Sequence, residues 1–163
     1  MTQRLPTGGA PGAPTPELGP ALGLQGHLAL VPMVRLGAYL ATDLAPLSTG
    51  GPRAFAEGGL HVRLTPPLAS WPWRTWLFAG FGYAYAEDLR ARLPGGMLAA
   101  PLGLGLGRKV GKRLLLFTEL AAHFAFGSYG RMYDRAAVES AGGAYVGKDT
   151  FALSLSVGLS LEE

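Results

Sequence analysis

Apolar residues recur at every second position in seven stretches of the chain, and the positions between them are small or polar. Leu22 to Val31 sets Leu22, Leu24, Leu28 and Leu30 against Gly23, Gln25, His27 and Ala29. Val34 to Pro46 sets Leu36, Ala38, Leu40 and Leu44 against Arg35, Gly37, Tyr39, Ala41 and Asp43. Ala54 to Leu64 ends with Leu60, Val62 and Leu64 against Glu57, Gly59, His61 and Arg63. Thr75 to Ala86, Leu98 to Gly107 and Leu114 to Gly127 continue the pattern, the second of them as Leu102, Leu104 and Leu106 against Gly103, Gly105 and Gly107. Thr150 to Leu161 is the most regular, with Phe151, Leu153, Leu155, Val157, Leu159 and Leu161 against Ala152, Ser154, Ser156, Gly158 and Ser160. A period of two is that of a strand, whose successive side chains point to opposite sides of a sheet. The pattern predicts an all-β, antiparallel chain.

The ionisable residues inside these stretches sort by face. Arg35, Asp43, Glu57, Arg63, Glu119, His27, His61 and His123 all fall on the side opposite the leucines. Composition changes what this means. Charged residues are 15% of the chain, against ~25% in an ordinary soluble domain, while apolar residues are 48% and Gly accounts for 25 of 163. The outer face of a soluble sandwich or barrel would carry Lys, Glu and Thr; here the face opposite the leucines carries Gly, Ala and Ser with few charges. The inverted arrangement, with leucines towards lipid and small or polar residues filling the interior, is that of a transmembrane β-barrel. A membrane helix needs about 20 consecutive apolar residues; the best stretch, Leu114 to Phe126, is shorter and holds Glu119 and His123. The reading is an antiparallel up-and-down transmembrane β-barrel over 21–163, with 1–20 as a disordered Pro/Gly-rich tail. A soluble small β-barrel binding an apolar ligand is the alternative.

Connection lengths orient this barrel. They are short near Pro32-Met33, Pro66 to Arg74 and Arg108 to Arg113, and long near Leu47 to Arg53, Glu87 to Gly96 and Ser128 to Asp149. Outer-membrane barrels have short periplasmic turns and longer extracellular loops. Trp71, Trp73 and Trp76 cluster at the short-turn end, where indoles favour the membrane boundary, and are expected to form an interfacial girdle there. An even strand number is usual, so seven visible strands imply an eighth upstream of Leu22. An N-terminal strand and a signal peptide are expected to be missing from this reading frame.

The run LFAGFGYAYAED with the preceding RTW, the segment AAPLGLGLGRKVGKRLLLFTELAAHFAFG and the closing FALSLSVGLSLEE resemble the small bacterial outer-membrane β-barrels of the OmpA/OmpX-type superfamily. The resemblance covers Leu22 to Leu161 and rests on patterning and turn placement. It implies a Gram-negative outer membrane and no cofactor. The chain departs from that pattern at its end, Leu161-Glu162-Glu163, where such barrels often finish on an aromatic residue.

Counting residues from the turns places Arg35 and Arg63 low in the barrel. Tyr39, His61, His27 and Glu119 come near mid-height, and Asp43, Glu57 and His123 higher. Buried charges need partners, so Arg35, Tyr39, Asp43, Glu57, His61, Arg63, Glu119 and His123 are expected to form an interior polar network, with Arg35 and Arg63 satisfied by Glu119 or Glu57. A cation or proton site of Asp43, Glu57 and His123 is the sharper alternative. No serine lies beside His123, and Ser154, Ser156 and Ser160 read as compact filler, so no catalytic triad, no metal and no enzyme activity are expected. Cys is absent, which excludes disulfide and thiol chemistry. The net charge of +3 is spread too thinly for a nucleic-acid stripe. The expected function is a monomeric, structural or surface-interacting barrel that meets outer-membrane lipid along its sides and an extracellular partner through loop 128–149. Bulky Phe55, Trp76, Phe78 and Phe117 on the inner face argue for a plugged lumen over the alternative, a narrow pore or small-ligand transport barrel.

Overall fold

The computed structural model describes residues 2–7, 20–45, 53–67, 73–90, 92–142, 145 and 148–161. Seven long antiparallel strands form one sheet that curls into a barrel-like half-barrel. They are β2 (Ala21–Val31), β3 (Val34–Ala45), β4 (Arg53–Leu64), β5 (Trp73–Asp88), β6 (Leu93–Lys109), β7 (Leu114–Tyr129) and β8 (Lys148–Leu161). Each pairs with the next in sequence. Before them, β1 (Thr2–Thr7) lies antiparallel along the first half of β8, with Thr2 opposite Ser154 and Thr7 opposite Lys148. This corrects the tail reading over Thr2–Thr7. Pro6, which has no N–H, sits at the register shift of this short ladder, and the Gly-rich run begins only after Thr7. Among the described residues no pairing joins β1 to β2.

The alternation dictates which side of the sheet is inside. Leu22 is 77% exposed, Leu24 76% and Val157 74%, whereas Glu57 and Asp88 are 2% exposed and Arg63 is 5%. Bare positions on the inner wall ease the curling. Gly59 of β4 stands opposite Gly82 of β5, and a Cβ on either would run into the backbone of the other strand. Glycines at such points let a sheet coil tightly.

Two connections differ from expectation. The long loop expected near Glu87 to Gly96 is a tight turn, because the β5–β6 ladder continues to Asp88 opposite Leu93. Arg92, in the left-handed region at φ 54°, closes it, and its N–H bonds the Asp88 carbonyl at 2.7 Å. Pro94-Gly95-Gly96 looks like loop chemistry, but the glycines are strand positions where a Cβ would meet the rings of Tyr133, Tyr83 and Tyr129. The connection after β7 is not simply an open loop. It carries a short 3₁₀ turn, Arg131–Tyr133, and helix α1 (Arg135–Ser140), capped by the Asp134 carboxylate, which accepts from the N–H groups of Ala136 and Ala137. Met132, Tyr133 and Val138 from this segment are buried against Phe55, Ala84, Ala86, Leu93, Met97 and Ala99. The apolar core therefore sits at the long-connection end, beneath a cap made by the connection itself.

Candidate functional site

Below this apolar cap the inner wall is polar. Period two puts Arg53, Phe55, Glu57, Gly59, His61 and Arg63 of β4 on one face, and the curl brings that face against β7. The Arg63 guanidinium bonds Glu119 Oε1 at 2.7 Å, and Trp76 Nε1 donates to the same oxygen at 2.8 Å. Gln25 Nε2 donates to Glu119 Oε2 at 3.1 Å. The guanidinium also stacks over the Trp76 ring, 4.4 Å from its centroid. Glu119 thus collects donors from β2, β4 and β5, the arrangement a buried carboxylate requires.

A second group lies nearer the cap. The Tyr39 hydroxyl donates to Glu57 Oε1 at 2.9 Å. His123 Nδ1 lies 3.2 Å from the same carboxylate, and His123 Nε2 lies 2.9 Å from Ser154 Oγ. His61 and His27 meet at 2.6 Å through their Nε2 atoms, and the Tyr39 and His61 rings are stacked at 5.7 Å. Of the residues expected inside, the structure brings Tyr39, Glu57 and His123 together in one cluster and Arg63 and Glu119 in another. His61 bonds His27 beside them. Asp43 is buried at the upper end of β3. Arg35, opposite Arg63 in the β3–β4 register, is half-buried at the lower end. Among the described residues no three His, Asp or Glu side chains are grouped to hold a metal, so Asp43 does not join Glu57 and His123 as a cation site.

The aromatic girdle needs correction. Trp76 points inward and is only 3% exposed, because it shares the parity of Phe78 on β5 and its indole N–H is held by Glu119. Trp73 is exposed at the short-connection end, with the Arg108 guanidinium 5.6 Å from its ring. Trp71 lies outside the described residues.

Further inner-face residues were not named for the network. Gln25 and Ser154 share the parity of the charged residues, a signal that small or neutral side chains make easy to pass over. Trp76 was given both to the girdle and to the bulky inner face, and joins the network from the latter. Arg53 and Asp88 were placed in long loops, yet both are buried strand residues standing opposite each other in the β4–β5 register.

Large and small residues interdigitate around these clusters. A Cβ on Gly105 would occupy the place of the Trp76 indole, one on Gly158 that of the Phe117 ring, and one on Gly103 that of Phe78. The Gly103-Gly105-Gly107 alternation is therefore a row of ring seats. Gly105→Val should displace Trp76 and cost about 1–3 kcal/mol, as overpacking does, read as a lower urea midpoint in detergent. At the lower end a cavity of about 10 Å³ remains among Arg35, Arg63, Thr65, Arg74, Trp76 and Leu115, room for no more than about one water. A larger apolar groove, about 470 Å³, lies beside the Pro32-Met33 turn, away from the polar clusters. No family model matches the chain, and neither a curated protein nor a solved structure matches it.

Proposed function

We propose that the chain is a monomeric up-and-down transmembrane β-barrel of a Gram-negative outer membrane, of the OmpA/OmpX-type superfamily, with eight strands when closed. Its role is structural or one of surface interaction, through the capped connection between β7 and β8. The short turns face the periplasm and the cap faces outward. One observation carries the reading: the surface is inverted. Leu, Val and Phe side chains cover the outside of all seven long strands, and Arg, Glu and His lie within. The largest apolar patch on a soluble monomer is ~300–600 Å², and each large apolar side chain left in water forgoes about 1.5–3 kcal/mol. A bilayer removes that cost, and strand pairing supplies the backbone hydrogen bonds that lipid cannot.

The pore reading is weaker. The ring seats, the cavity of only about 10 Å³ on the inner wall at the lower end and the buried Met132, Tyr133 and Val138 above all support a closed lumen. The experiment is refolding into detergent followed by gel mobility with and without boiling, then recording in planar bilayers. The expected results are a heat-sensitive mobility shift and no steady conductance. A monomer that stays folded in plain buffer would overturn the membrane reading, and steady conductance would overturn the closed lumen.

A further inference from the structure

Three side chains from three strands form one hydrogen-bonded line in the upper lumen: Ser154 Oγ to His123 Nε2 at 2.9 Å, then His123 Nδ1 to the Glu57 carboxylate at 3.2 Å. We propose that Ser154 is an activated nucleophile, with His123 as its general base and Glu57 as the residue that positions the imidazole, and that it accepts acyl groups from carboxylic esters small enough to reach its half-buried hydroxyl. The inference goes beyond the structural role above.

The chemistry follows from donor and acceptor capacity. An ionised carboxylate only accepts, so a neutral imidazole facing Glu57 through Nδ1 carries its proton there. Nε2 is then a bare lone pair aimed at the serine hydroxyl. This is the order of roles in nucleophile–base–carboxylate sets, which are recognised by geometry and not by sequence position. Here the partners are 31 and 66 residues apart, so no local motif announces them. The Tyr39 hydroxyl donates to the same carboxylate. Access also runs the right way: the Glu57 side chain is 3% exposed and that of His123 16%, and Ser154 is half-buried. The nucleophile is at the open end of the line and the carboxylate at the closed end. Ser156 and Ser160 share the inner face without a bonded imidazole among the described contacts, which singles out Ser154.

In the proposed step the Ser154 O–H proton passes to Nε2 while Oγ attacks the ester carbonyl. The C–O bond to the alcohol then breaks, and the alcohol leaves with the proton from Nε2. Water, deprotonated by the same nitrogen, releases the acid and restores the serine. The Ser154 backbone is engaged in pairing with Thr2 and Ala121, so the strand does not offer a pair of amides to the developing oxyanion, normally a large contribution. The substrate class is therefore restricted to esters with a weakly basic leaving alcohol.

The test uses the refolded protein in detergent with an alkyl fluorophosphonate, which Ser154 would attack with loss of fluoride. A single adduct mapped to Ser154 by peptide mass spectrometry is expected. His123→Asn and Glu57→Gln should slow labelling about a hundredfold, within the range of general-base catalysis, while Ser156→Ala labels like the parent. Each variant is scored only if it retains the heat-sensitive gel shift, since labelling and folding are separate readouts. No adduct on Ser154 in the folded parent overturns the proposal. So does an equal labelling rate in folded and urea-unfolded parent, a comparison that needs no variant to fold.

Discussion

Leu155→Arg should destabilise the barrel in lipid vesicles by about 2–4 kcal/mol, the range for a cation placed on the lipid face at mid-bilayer. Leu155 is 53% exposed and stands opposite Leu120 in the β7–β8 register, in a band of Leu, Val and Phe whose middle carries no charge, Glu87 and Arg108 sharing its parity only at strand ends. The guanidinium would have to leave water for hydrocarbon with no partner beside it. Ser154→Thr, one residue away on the other face, keeps a hydroxyl inside the barrel and should shift stability only slightly. Urea unfolding of both variants in vesicles, followed by tryptophan fluorescence, checks the contrast. Equal effects would mean that the two faces have been exchanged. In plain buffer the prediction reverses for Leu155→Arg, because an arginine on a wet surface is tolerated and an exposed leucine band is not.

Glu119→Ala should cost about 3–5 kcal/mol, the range for removing one partner of a buried ion pair. The change takes away the acceptor for the Arg63 guanidinium, the Trp76 indole N–H and the Gln25 amide in one stroke. Glu119→Gln keeps the size and one carbonyl acceptor and should fall between parent and alanine. The informative comparison is the double substitution Glu119→Leu with Arg63→Met, since apolar replacement of a whole buried pair is often neutral or stabilising. Urea midpoints of the two single variants and the double form a cycle. Recovery of most of the loss in the double variant marks the pair as a mutual necessity. Full additivity would mean that Arg63 and Glu119 act independently.

Period two carried the strands and their faces, because each position obeys only its own parity. It did not carry the partners across the lumen. Glu119 meets Arg63, and His123 meets Glu57, through the curl that brings β7 against β4, and curl and stagger are properties of the whole sheet. The sequence reading allowed Arg63 either Glu119 or Glu57; only the folded register selects. Trp76 has two places in the sequence reading, the girdle because three tryptophans close together suggest a boundary and the inner face because of its parity with Phe78, and the structure keeps the second. Pro94-Gly95-Gly96 reads as a turn because Gly and Pro usually mark one; here the ladder runs through them and the glycines make room for tyrosine rings. The cap was hidden for another reason. Met132, Tyr133 and Val138 follow no strand period, and their burial depends on Phe55 and Met97 being near in space.

The ring seats have a consequence for how this chain can drift. Gly105 and Trp76 lie on neighbouring strands and share one volume, as do Gly158 and Phe117. A larger residue at the glycine is tolerable only when the facing ring shrinks, so change on the inner wall is forced into compensated pairs that run across strands. In the proposed bilayer setting the leucines of the exposed outer face meet a fluid that imposes no such pairing, and apolar residues there could be exchanged singly. Two surfaces of one strand, alternating residue by residue, therefore accept substitution under different rules.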